Sequence, residues 1–461
     1  MDALVLGGGP GGCEAALVAA QRGARVTLIE ERTLGGTCLN RGCIPAKSLL
    51  ASAEALEWVR AAGTFGITAG EGAANVPAVY GRKDAVVSSL VKGMEFLLQA
   101  RKVRVVSGHG RVSGPDSVTL TAPGGSVERL SFDALILAAG SVPSIPPVFA
   151  YDGDRVLSSD DALSLGSIPA SIVLIGGGVI GCELAQFFAR LGSRVRVVEM
   201  LGRLLPQEDA DCARQLERQF KKEKIAFSCG ASVEGVEKTD SGVKITLSGG
   251  AVVEAEKALV AIGRKPATGG LGLESVGLAP DSRGFVPVNA FMQTAVPSIY
   301  AVGDIVSSPQ LAHVASREGA VAAIHATGGH GEISYRAIPR CVYTSPEIAS
   351  VGLTEEDAKK RGIPFKTGKF NFAALGRAKA AGKTEGFVKI ITDEAGVVVG
   401  GAVVGAHGTE LLQPITMAVQ LGLTSGQIAQ CVFPHPTFGE ALLQAALDVG
   451  GESPYKVQSP L

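Results

Sequence analysis

The stretch GGGPGGCEAALVAAQRGARVTLIE occupies residues 7–30 and returns as GGGVIGCELAQFFARLGSRVRVVE at residues 176–199. The two segments align without a gap and share 12 of 24 positions. Each has G-x-G-x-x-G directly after a short apolar run, continues with a helical pattern and ends in a second apolar run closed by an acid. The chain therefore carries two copies of one βαβ unit, which predicts an α/β fold.

The glycines and terminal acids of each copy indicate a dinucleotide site. Glycine permits the tight turn, lets the backbone approach a pyrophosphate and lets the helix pack closely, while the helix N-terminus favours negative charge. The closing acid is placed to accept hydrogen bonds from a ribose diol. A lone glycine triplet could mark a turn and nothing more, but two matched copies favour two bound dinucleotides. The candidates are Gly7, Gly9, Gly12 and Glu30 in the first copy and Gly176, Gly178, Gly181 and Glu199 in the second.

The terminal acid of the second copy also indicates which nucleotide binds there. Glu199 would repel a 2′-phosphate, and no arginine takes its place at the strand end. Arg194, Arg196 and Arg203 lie nearby in the sequence, so the preference for NAD over NADP is strong without being absolute.

Length and charge narrow the class of protein. With 461 residues, 46% of them hydrophobic and 19% charged, the chain is long enough for several packed domains. A formal charge of -1 argues against a nucleic acid or an anionic membrane as partner. The start of the sequence lacks the basic and apolar segments of a signal peptide, and no run of eighteen apolar residues occurs, so we expect a soluble, cytoplasmic protein.

Two of the eight cysteines, Cys38 and Cys43, are close together in GGTCLNRGCIPAK, residues 35–47. The following sequence predicts a helix that starts at Cys43, with Lys47 one turn on, and both features lower a thiol pKa. A four-cysteine zinc site would need a second close pair, and a structural bridge across so short a loop would stabilise little in a reducing compartment. A redox-active dithiol is therefore favoured over a zinc site or a structural disulfide.

A dithiol that cycles needs a base, and His435 is the candidate among six histidines. Prolines flank it in FPHPTFGEAL, and a carboxylate at Glu440 could hold its imidazole in one tautomer. Thr437 and Glu440 also form a T-x-x-E capping pattern for the next helix, which would explain the glutamate without catalysis. The residues alone leave both explanations open.

Asp304 follows an apolar strand in IYAVGDI, residues 299–305, where open α/β sheets bind ligands. It could hold a polyol hydroxyl, or it could cap the helix that follows. From about Tyr335 the pattern changes, and a further domain with its own core is expected.

Together these motifs resemble the flavin-dependent pyridine nucleotide-disulfide oxidoreductases. GGTCLNRGCIP, GGGVIGCELA, YAVGDI, LAH and a C-terminal HPT with a glutamate appear in the family's order and cover nearly the whole chain. The resemblance implies two Rossmann-like dinucleotide-binding domains, for FAD and NAD, and an α+β C-terminal dimerisation domain. The implied boundaries are 1–145 with 271–335 for FAD, 146–270 for NAD and 336–461 for the interface domain.

The resemblance also assigns roles to residues. Cys38 is the interchange thiol, Cys43 lies next to the flavin, and His435 is the base, oriented by Glu440 and supplied by the partner subunit of a homodimer. The residues implied to bind FAD are Gly7, Gly9, Gly12, Glu30, Lys47, Gly110, Gly140, Asp304, Ala312 and His313. Those implied to bind NAD are Gly176, Gly178, Gly181, Glu183, Glu199 and Gly263, and Glu183 is also expected to pair with Lys47.

The family members most like this chain oxidise dihydrolipoyl groups to lipoyl groups and reduce NAD+. The resemblance therefore implies this reaction, on lipoyl domains or free dihydrolipoamide, in a 2-oxoacid dehydrogenase or glycine-cleavage complex. An NAD(P)H-dependent reductase of another small disulfide is the alternative within the class. A non-catalytic assembly subunit is the alternative outside it, although such a subunit would have no chemical need for both cysteines, the histidine and the glutamate. The sequence departs from the family's pattern at Ala139, where threonine is usual, and at Cys13, where an aromatic residue is common.

Overall fold

The computed structural model describes residues 1–456 of the chain. Its strands in chain order are β1 (Asp2–Leu6), β2 (Arg25–Glu30), β3 (Arg104–Ser107), β4 (His109–Gly114), β5 (Ser117–Thr121), β6 (Val127–Ser131), β7 (Ala134–Leu137), β8 (Ser141–Pro143), β9 (Val156–Ser158), β10 (Ser171–Ile175), β11 (Arg194–Glu199), β12 (Ala226–Cys229), β13 (Val233–Thr239), β14 (Gly242–Leu247), β15 (Val252–Ala255), β16 (Lys257–Val260), β17 (Arg264–Pro266), β18 (Ile299–Ala301), β19 (Arg340–Val342), β20 (Glu347–Gly352), β21 (Lys366–Asn371), β22 (Phe387–Thr392) and β23 (Val398–Gly405).

The α-helices of the same residues are α1 (Pro10–Gln21), α2 (Gly36–Arg41), α3 (Cys43–Ala61), α4 (Val76–Ala100), α5 (Ser159–Ala162), α6 (Val179–Arg190), α7 (Ala210–Lys222), α8 (Ala312–Ala326), α9 (Glu355–Lys360), α10 (Gly376–Ala380), α11 (Gly408–Leu411), α12 (Gln413–Leu421), α13 (Ser425–Ala429) and α14 (Glu440–Asp448). Within the described part of the chain, none of these helices combines the length and the apolar character needed to span a membrane.

Two parallel sheets contain the two βαβ copies. The first has the strand order β18-β7-β1-β2-β3, and the second has the order β12-β11-β10-β16-β9. In both, the strand that precedes the glycine turn lies in the middle and pairs in parallel with neighbours on either side. Both sheets are Rossmann-like, which confirms the predicted α/β class. Strand β18 joins the first sheet although it follows the whole second sheet in sequence, and the numerical domain boundaries stay predictions.

The C-terminal part of the chain forms a separate layer. Its five strands pair antiparallel in the order β19-β20-β23-β22-β21, and helices α12 and α14 pack on them. This is the predicted α+β domain. Between the two parallel sheets the chain crosses twice, and the crossings pair as the two-stranded antiparallel ladder of β8 and β17.

The apolar core connects these layers beneath the cysteine helix. Leu49 and Ala53 of α3 belong to one buried cluster with Phe187 and Phe188 of α6 and with Val342 of the C-terminal sheet. The two phenylalanines are fully buried, and removing such a ring from a core costs about 3–5 kcal/mol. Helix α3 is therefore held from both sides, which fixes the cysteines at its N-terminal end.

Helix α1 packs directly on α8, and Gly319 makes that approach possible. A β-carbon at Gly319 would lie 2.1 Å from the carbonyl oxygen of Gly11 and 3.2 Å from the backbone nitrogen of Ala15. Backbone atoms of a packed helix cannot move aside as a flexible side chain can, so any larger residue forces the two helices apart.

We expect Gly319→Ala to destabilise the FAD-loaded protein by about 2 kcal/mol or more, because the added methyl group overpacks this contact. Gly81→Ala is the matched control, since Gly81 is also helical but a β-carbon added there would meet no atom within 4 Å. Gly81→Ala should be more stable than the wild type by about 0.5–1 kcal/mol, because alanine loses less backbone entropy in a helix. Thermal melts of the two variants and the wild type measure the difference, and equal melting temperatures would contradict the packing argument.

Candidate active site

The first and last glycines of each turn leave no room for a side chain. Gly7 and Gly176 have φ of +103° and +110°, which only glycine adopts readily. A β-carbon at Gly12 would lie 1.8 Å from the Gly7 carbonyl oxygen, and one at Gly181 would lie 1.9 Å from that of Gly176. Each turn thus brings the end of its strand against the first turn of its helix, whose backbone N–H groups suit a phosphate group.

Open space lies beside both turns, as a dinucleotide requires. Gly9 and Gly178 precede α1 and α6, and a β-carbon at Gly9 would meet its nearest atom at 3.9 Å. At Gly178, Gly140 and Gly263 a β-carbon would meet nothing within 4 Å. These four glycines therefore line open space at the carboxyl ends of strands, where such sheets bind ligands.

The two terminal acids hold their own glycine turns. Glu30 accepts a hydrogen bond from the backbone N–H of Gly8 at 2.6 Å, and Glu199 accepts the equivalent bond from Gly177 at 2.6 Å. Carboxylate oxygens have further lone pairs, so the predicted bonds from a ribose remain possible. Each acid therefore holds its own glycine turn in place. Each also lies at the strand end where the ribose of a nucleotide is predicted.

Cys13 now has a structural explanation that the sequence did not provide. Its thiol is buried and donates to the carbonyl oxygen of Gly8 at 3.1 Å, while Cys182 donates to that of Gly177 at 3.2 Å. Burial raises the pKa of Cys13 to about 12 and places that of Cys182 well above its ordinary value. Both thiols are therefore neutral donors that support the glycine turns.

Asp304 lies in the turn Gly303–Ile305 after β18 and accepts a hydrogen bond from the Ser141 hydroxyl. The alternative that Asp304 caps the next helix is wrong, because α8 begins at Ala312 and Leu311 precedes it. The Asp304 carboxylate is thus free of a helix-capping role and lies at the end of a strand of the first sheet. Its predicted bond to a polyol hydroxyl stays a prediction.

Three further predicted FAD residues lie close to the first sheet. Ala312 and His313 open helix α8, and His313 Nε2 donates to the carbonyl oxygen of Pro339 at 2.9 Å. Burial lowers the pKa of His313 below its usual 6.5, so it is neutral at pH 7. Gly110 lies against the end of β1, where a β-carbon would come within 2.5 Å of the Leu6 side chain.

The two thiols of the redox pair lie on either side of a break between two helices. Cys38 belongs to α2, Gly42 interrupts the helix, and Cys43 is the first residue of α3, as predicted. A hydrogen bond from Cys38 and the positive charge of Lys47 lower the pKa of Cys43 to about 7, although burial opposes them. The same hydrogen bond and burial raise the pKa of Cys38. The pair therefore carries its negative charge on Cys43.

Lys47 meets the residue that the resemblance paired with it. Its Nζ lies 2.8 Å and 3.0 Å from the two carboxylate oxygens of Glu183, whose side chain is 4% exposed. The backbone N–H of Tyr343 donates to Glu183 at 2.8 Å, and the Tyr343 ring lies 4.6 Å from the Lys47 Nζ. Tyr343 was missed in the sequence, since nothing in YTSPE links it to a lysine almost three hundred residues earlier.

His435 and Glu440 form the expected pair. His435 Nδ1 lies 2.8 Å from Glu440 Oε1, and the other carboxylate oxygen accepts from the backbone N–H of Thr437 at 2.9 Å. Although partial burial opposes it, these hydrogen bonds lower the pKa of Glu440. The capping box predicted a helix with Thr437 as its N-cap residue. This helix start is wrong, because α14 begins at Glu440 itself and Gly439 precedes it.

The structure does not bring this histidine to the cysteines of the same chain. The His435 side chain is 77% exposed, and within residues 1–456 no hydrogen bond or ion pair connects it to Cys38 or Cys43. The role of His435 as a base for the cysteines of the partner subunit stays a prediction.

A thiolate that forms near neutral pH beside two dinucleotide sites can exchange an electron pair with a nucleotide cofactor. This combination defines a class of oxidoreductases that connect a dithiol to nucleotide chemistry. The comparisons with known proteins identify the family within this class. The family model described as "Pyridine nucleotide-disulphide oxidoreductase" matches residues 1–319, and the model of its dimerisation domain matches residues 338–446. The chain belongs to this family and is an FAD- and NAD-dependent oxidoreductase.

Named relatives match along the whole chain. Dihydrolipoyl dehydrogenase of Chlamydia muridarum is 42% identical over 449 residues, which cover 97% of this chain and 96% of the relative. A protein of the same name from Bacillus subtilis is 40% identical over 468 residues and covers 98% of each chain. Among solved structures, LpdA of Mycobacterium tuberculosis has a TM-score of 0.92 at 33% identity and covers 97% of this chain and 99% of its own.

The charge on Cys43 gives a spectroscopic prediction. In the two-electron-reduced, FAD-loaded protein, a long-wavelength band from the Cys43 thiolate against the flavin should be present above pH 7 and disappear as the pH falls through about 7. Cys43→Ser should abolish the band, whereas Cys38→Ser, which cannot form the disulfide, should show it with oxidised flavin and no added reductant. A pH titration of absorbance checks both, and a band that persists in Cys43→Ser would reject the assignment.

Lys47 should set the midpoint of that titration. Lys47→Met removes a charge that stabilises the thiolate, so the band should appear at higher pH than in the wild type. Lys92→Met, on the exposed face of α4, is the charge-matched control and should leave the midpoint unchanged.

Proposed function

We propose that this chain works as a dihydrolipoyl dehydrogenase that oxidises dihydrolipoyl groups to lipoyl groups with reduction of NAD+. The observation that carries the proposal is the dithiol whose charge rests on Cys43, beside the pair of Lys47 and Glu183 and between two dinucleotide sites. Full-length relatives with this name at about 40% identity support the choice of substrate. They favour dihydrolipoyl groups over another small disulfide.

The first chemical step is a thiol–disulfide exchange at the cysteine pair. In the oxidised protein a substrate thiolate attacks Cys38, the bond between the cysteines breaks, and Cys43 leaves as a thiolate. A low pKa makes Cys43 the better leaving group, and Lys47 stabilises its charge. The second substrate thiol then attacks the mixed disulfide, which releases the lipoyl disulfide and leaves two reduced cysteines.

His435 would accept the proton of the attacking substrate thiol. Its Nε2 is available because Nδ1 is held by Glu440, and the carboxylate stabilises the imidazolium that forms. We propose that this base reaches the cysteines of the other subunit in a homodimer, since within its own chain the pair is exposed. The matched dimerisation-domain model supports this assembly.

Gly7, Gly9, Gly12 and Glu30 would hold FAD, which when bound would supply two-electron chemistry between the dithiol and a nicotinamide held at the second glycine turn. The chain's own contribution is the placement of the two cofactors. The glycine turns would hold the cofactor phosphates at helix N-termini, while the ion pair of Lys47 and Glu183 connects the dithiol helix to α6 beside the second sheet.

The substrate and the multienzyme complex are inferred from the named relatives. The substrate is a lipoyl domain or free dihydrolipoamide, and the enzyme serves a 2-oxoacid dehydrogenase or a glycine-cleavage complex. We propose the cytoplasm as the location, because a reducing compartment suits a dithiol that cycles.

Steady-state reduction of NAD+ by dihydrolipoamide tests the proposal directly. The FAD-loaded protein should turn over this pair, and it should use glutathione disulfide with NADPH poorly. No turnover from a yellow, dimeric preparation would exclude the enzyme assignment, and a preference for glutathione disulfide would exclude the substrate.

His435→Gln should lower turnover of dihydrolipoamide by about 10²–10⁴-fold, because the substrate thiol loses its base. Reduction of the flavin by NADH should be unaffected, since that step does not use the histidine. His330→Gln is the matched control, because His330 is also exposed and lies 3.9 Å from a glutamate, Glu332. Equal activity in the two variants would contradict the role of His435.

Glu199→Gln should change the choice of nucleotide. Removing a unit charge from the nucleotide site should reduce the preference for NAD+ over NADP+ by about tenfold or more, since a 2′-phosphate is no longer repelled. The ratio of kcat/KM for the two nucleotides measures this preference. Glu237→Gln, at an exposed position of strand β13, should leave the ratio unchanged.

A further inference from the structure

The ladder that connects the two parallel sheets carries an arginine directed toward the first cofactor site. Arg264 begins β17, and its Nε and Nη2 donate to the hydroxyl and carbonyl oxygens of Ser141 in β8 at 2.7 Å and 2.8 Å. The Ser141 hydroxyl in turn donates to Asp304. Arg264 therefore connects the end of the second sheet to the turn at which the polyol of FAD is expected.

Asp160 connects the same arginine to the redox cysteines. It lies in the first turn of α5, which follows β9 of the second sheet. Its Oδ1 is 3.9 Å from Arg264 Nη1, and its Oδ2 is 3.5 Å from the Nε of Arg41. Arg41 belongs to α2, between Cys38 and Cys43 in sequence. One carboxylate thus joins the dithiol segment, the crossing ladder and the second sheet.

The three side chains are shielded but not deeply buried. Arg264, Asp160 and Arg41 are 14%, 24% and 31% exposed, and within the described residues the buried Nε of Arg41 has no hydrogen-bond partner. Partly exposed ion pairs of this length contribute little to global stability. We therefore expect them to affect the distance and angle between the second sheet and the cysteine segment rather than the free energy of unfolding.

We propose that Asp160 is a positioning residue, which by bridging Arg41 and Arg264 fixes the NAD-binding sheet against the dithiol segment and so sets how nicotinamide meets the flavin. This rests on the proposed function, because it needs a route from cysteines through FAD to NAD. Reacting atoms must lie about 3–3.5 Å apart, and a displacement near 1 Å can cost about 10²-fold in rate. The thiol exchange takes place at Cys38 and Cys43, and the layer of the second sheet contributes to it through Glu183, which pairs with Lys47. A change at Asp160 leaves that pair in place.

The two half-reactions separate these effects in Asp160→Asn, which keeps the side-chain volume and removes its charge. In the FAD-loaded dimer, stopped-flow reduction of the flavin by NADH should be slower by on the order of tenfold. Reduction by dihydrolipoamide should proceed at the wild-type rate. Asp160→Glu keeps the charge and should restore most of the NADH rate.

Asp154→Asn is the matched control, since Asp154 is an 81% exposed residue near the same sheet that pairs with Lys257. Both half-reactions should keep wild-type rates in it. An unchanged NADH rate in Asp160→Asn, or equal slowing of both half-reactions, would overturn the proposal. If wild-type protein is not reduced by dihydrolipoamide, the proposed function fails instead, and the NADH rates of the two asparagine variants still decide the role of Asp160.

Discussion

The ion pair of Lys47 and Glu183 is the contact on which the arrangement of the site depends. It joins the cysteine helix α3 to α6 of the second sheet, and Tyr343 adds the C-terminal layer through its backbone N–H. Because Glu183 is buried, loss of its lysine would leave a nearly dry carboxylate without a counter-ion, at a cost of roughly 3 kcal/mol. The same lysine stabilises the Cys43 thiolate, so one ammonium group serves both architecture and chemistry.

The sequence predicted the parts of the fold that depend on local pattern. Glycine turns, their helices and the closing acids repeat within each copy, and the helix start at Cys43 follows from its flanking residues. Helix starts at Ala312 and Glu440 were predicted less well. The Asp304 carboxylate accepts a hydrogen bond from the distant Ser141, and the Thr437 hydroxyl donates to the nearby carbonyl oxygen of Pro434. Capping patterns are weak evidence where the side chain has another hydrogen-bond partner.

Contacts between segments that are distant in sequence could not be predicted from the residue pattern at the site. Lys47 and Glu183 were paired by family resemblance, but Tyr343 and the bridge at Asp160 had no sequence signal at all. These contacts arise because two sheets and a third layer meet along α3 and α6, and no periodicity within any one segment encodes that meeting. The duplicated turns show the opposite case, since Cys13 and Cys182 make the same hydrogen bond in each copy for purely local reasons.

The pKa values of the cysteines decide which of them is open to oxidative damage. Burial raises the pKa of Cys13 to about 12 and of Cys341 to about 11, and it keeps Cys182 and Cys212 protonated as well. Electrophiles and peroxides react with thiolates, so these cysteines are passive toward both at neutral pH. Oxidative stress would therefore be directed to the thiolate of Cys43, whose neighbour Cys38 can capture a sulfenic acid as a disulfide before it oxidises further. The catalytic pair thus contains its own protection against irreversible oxidation.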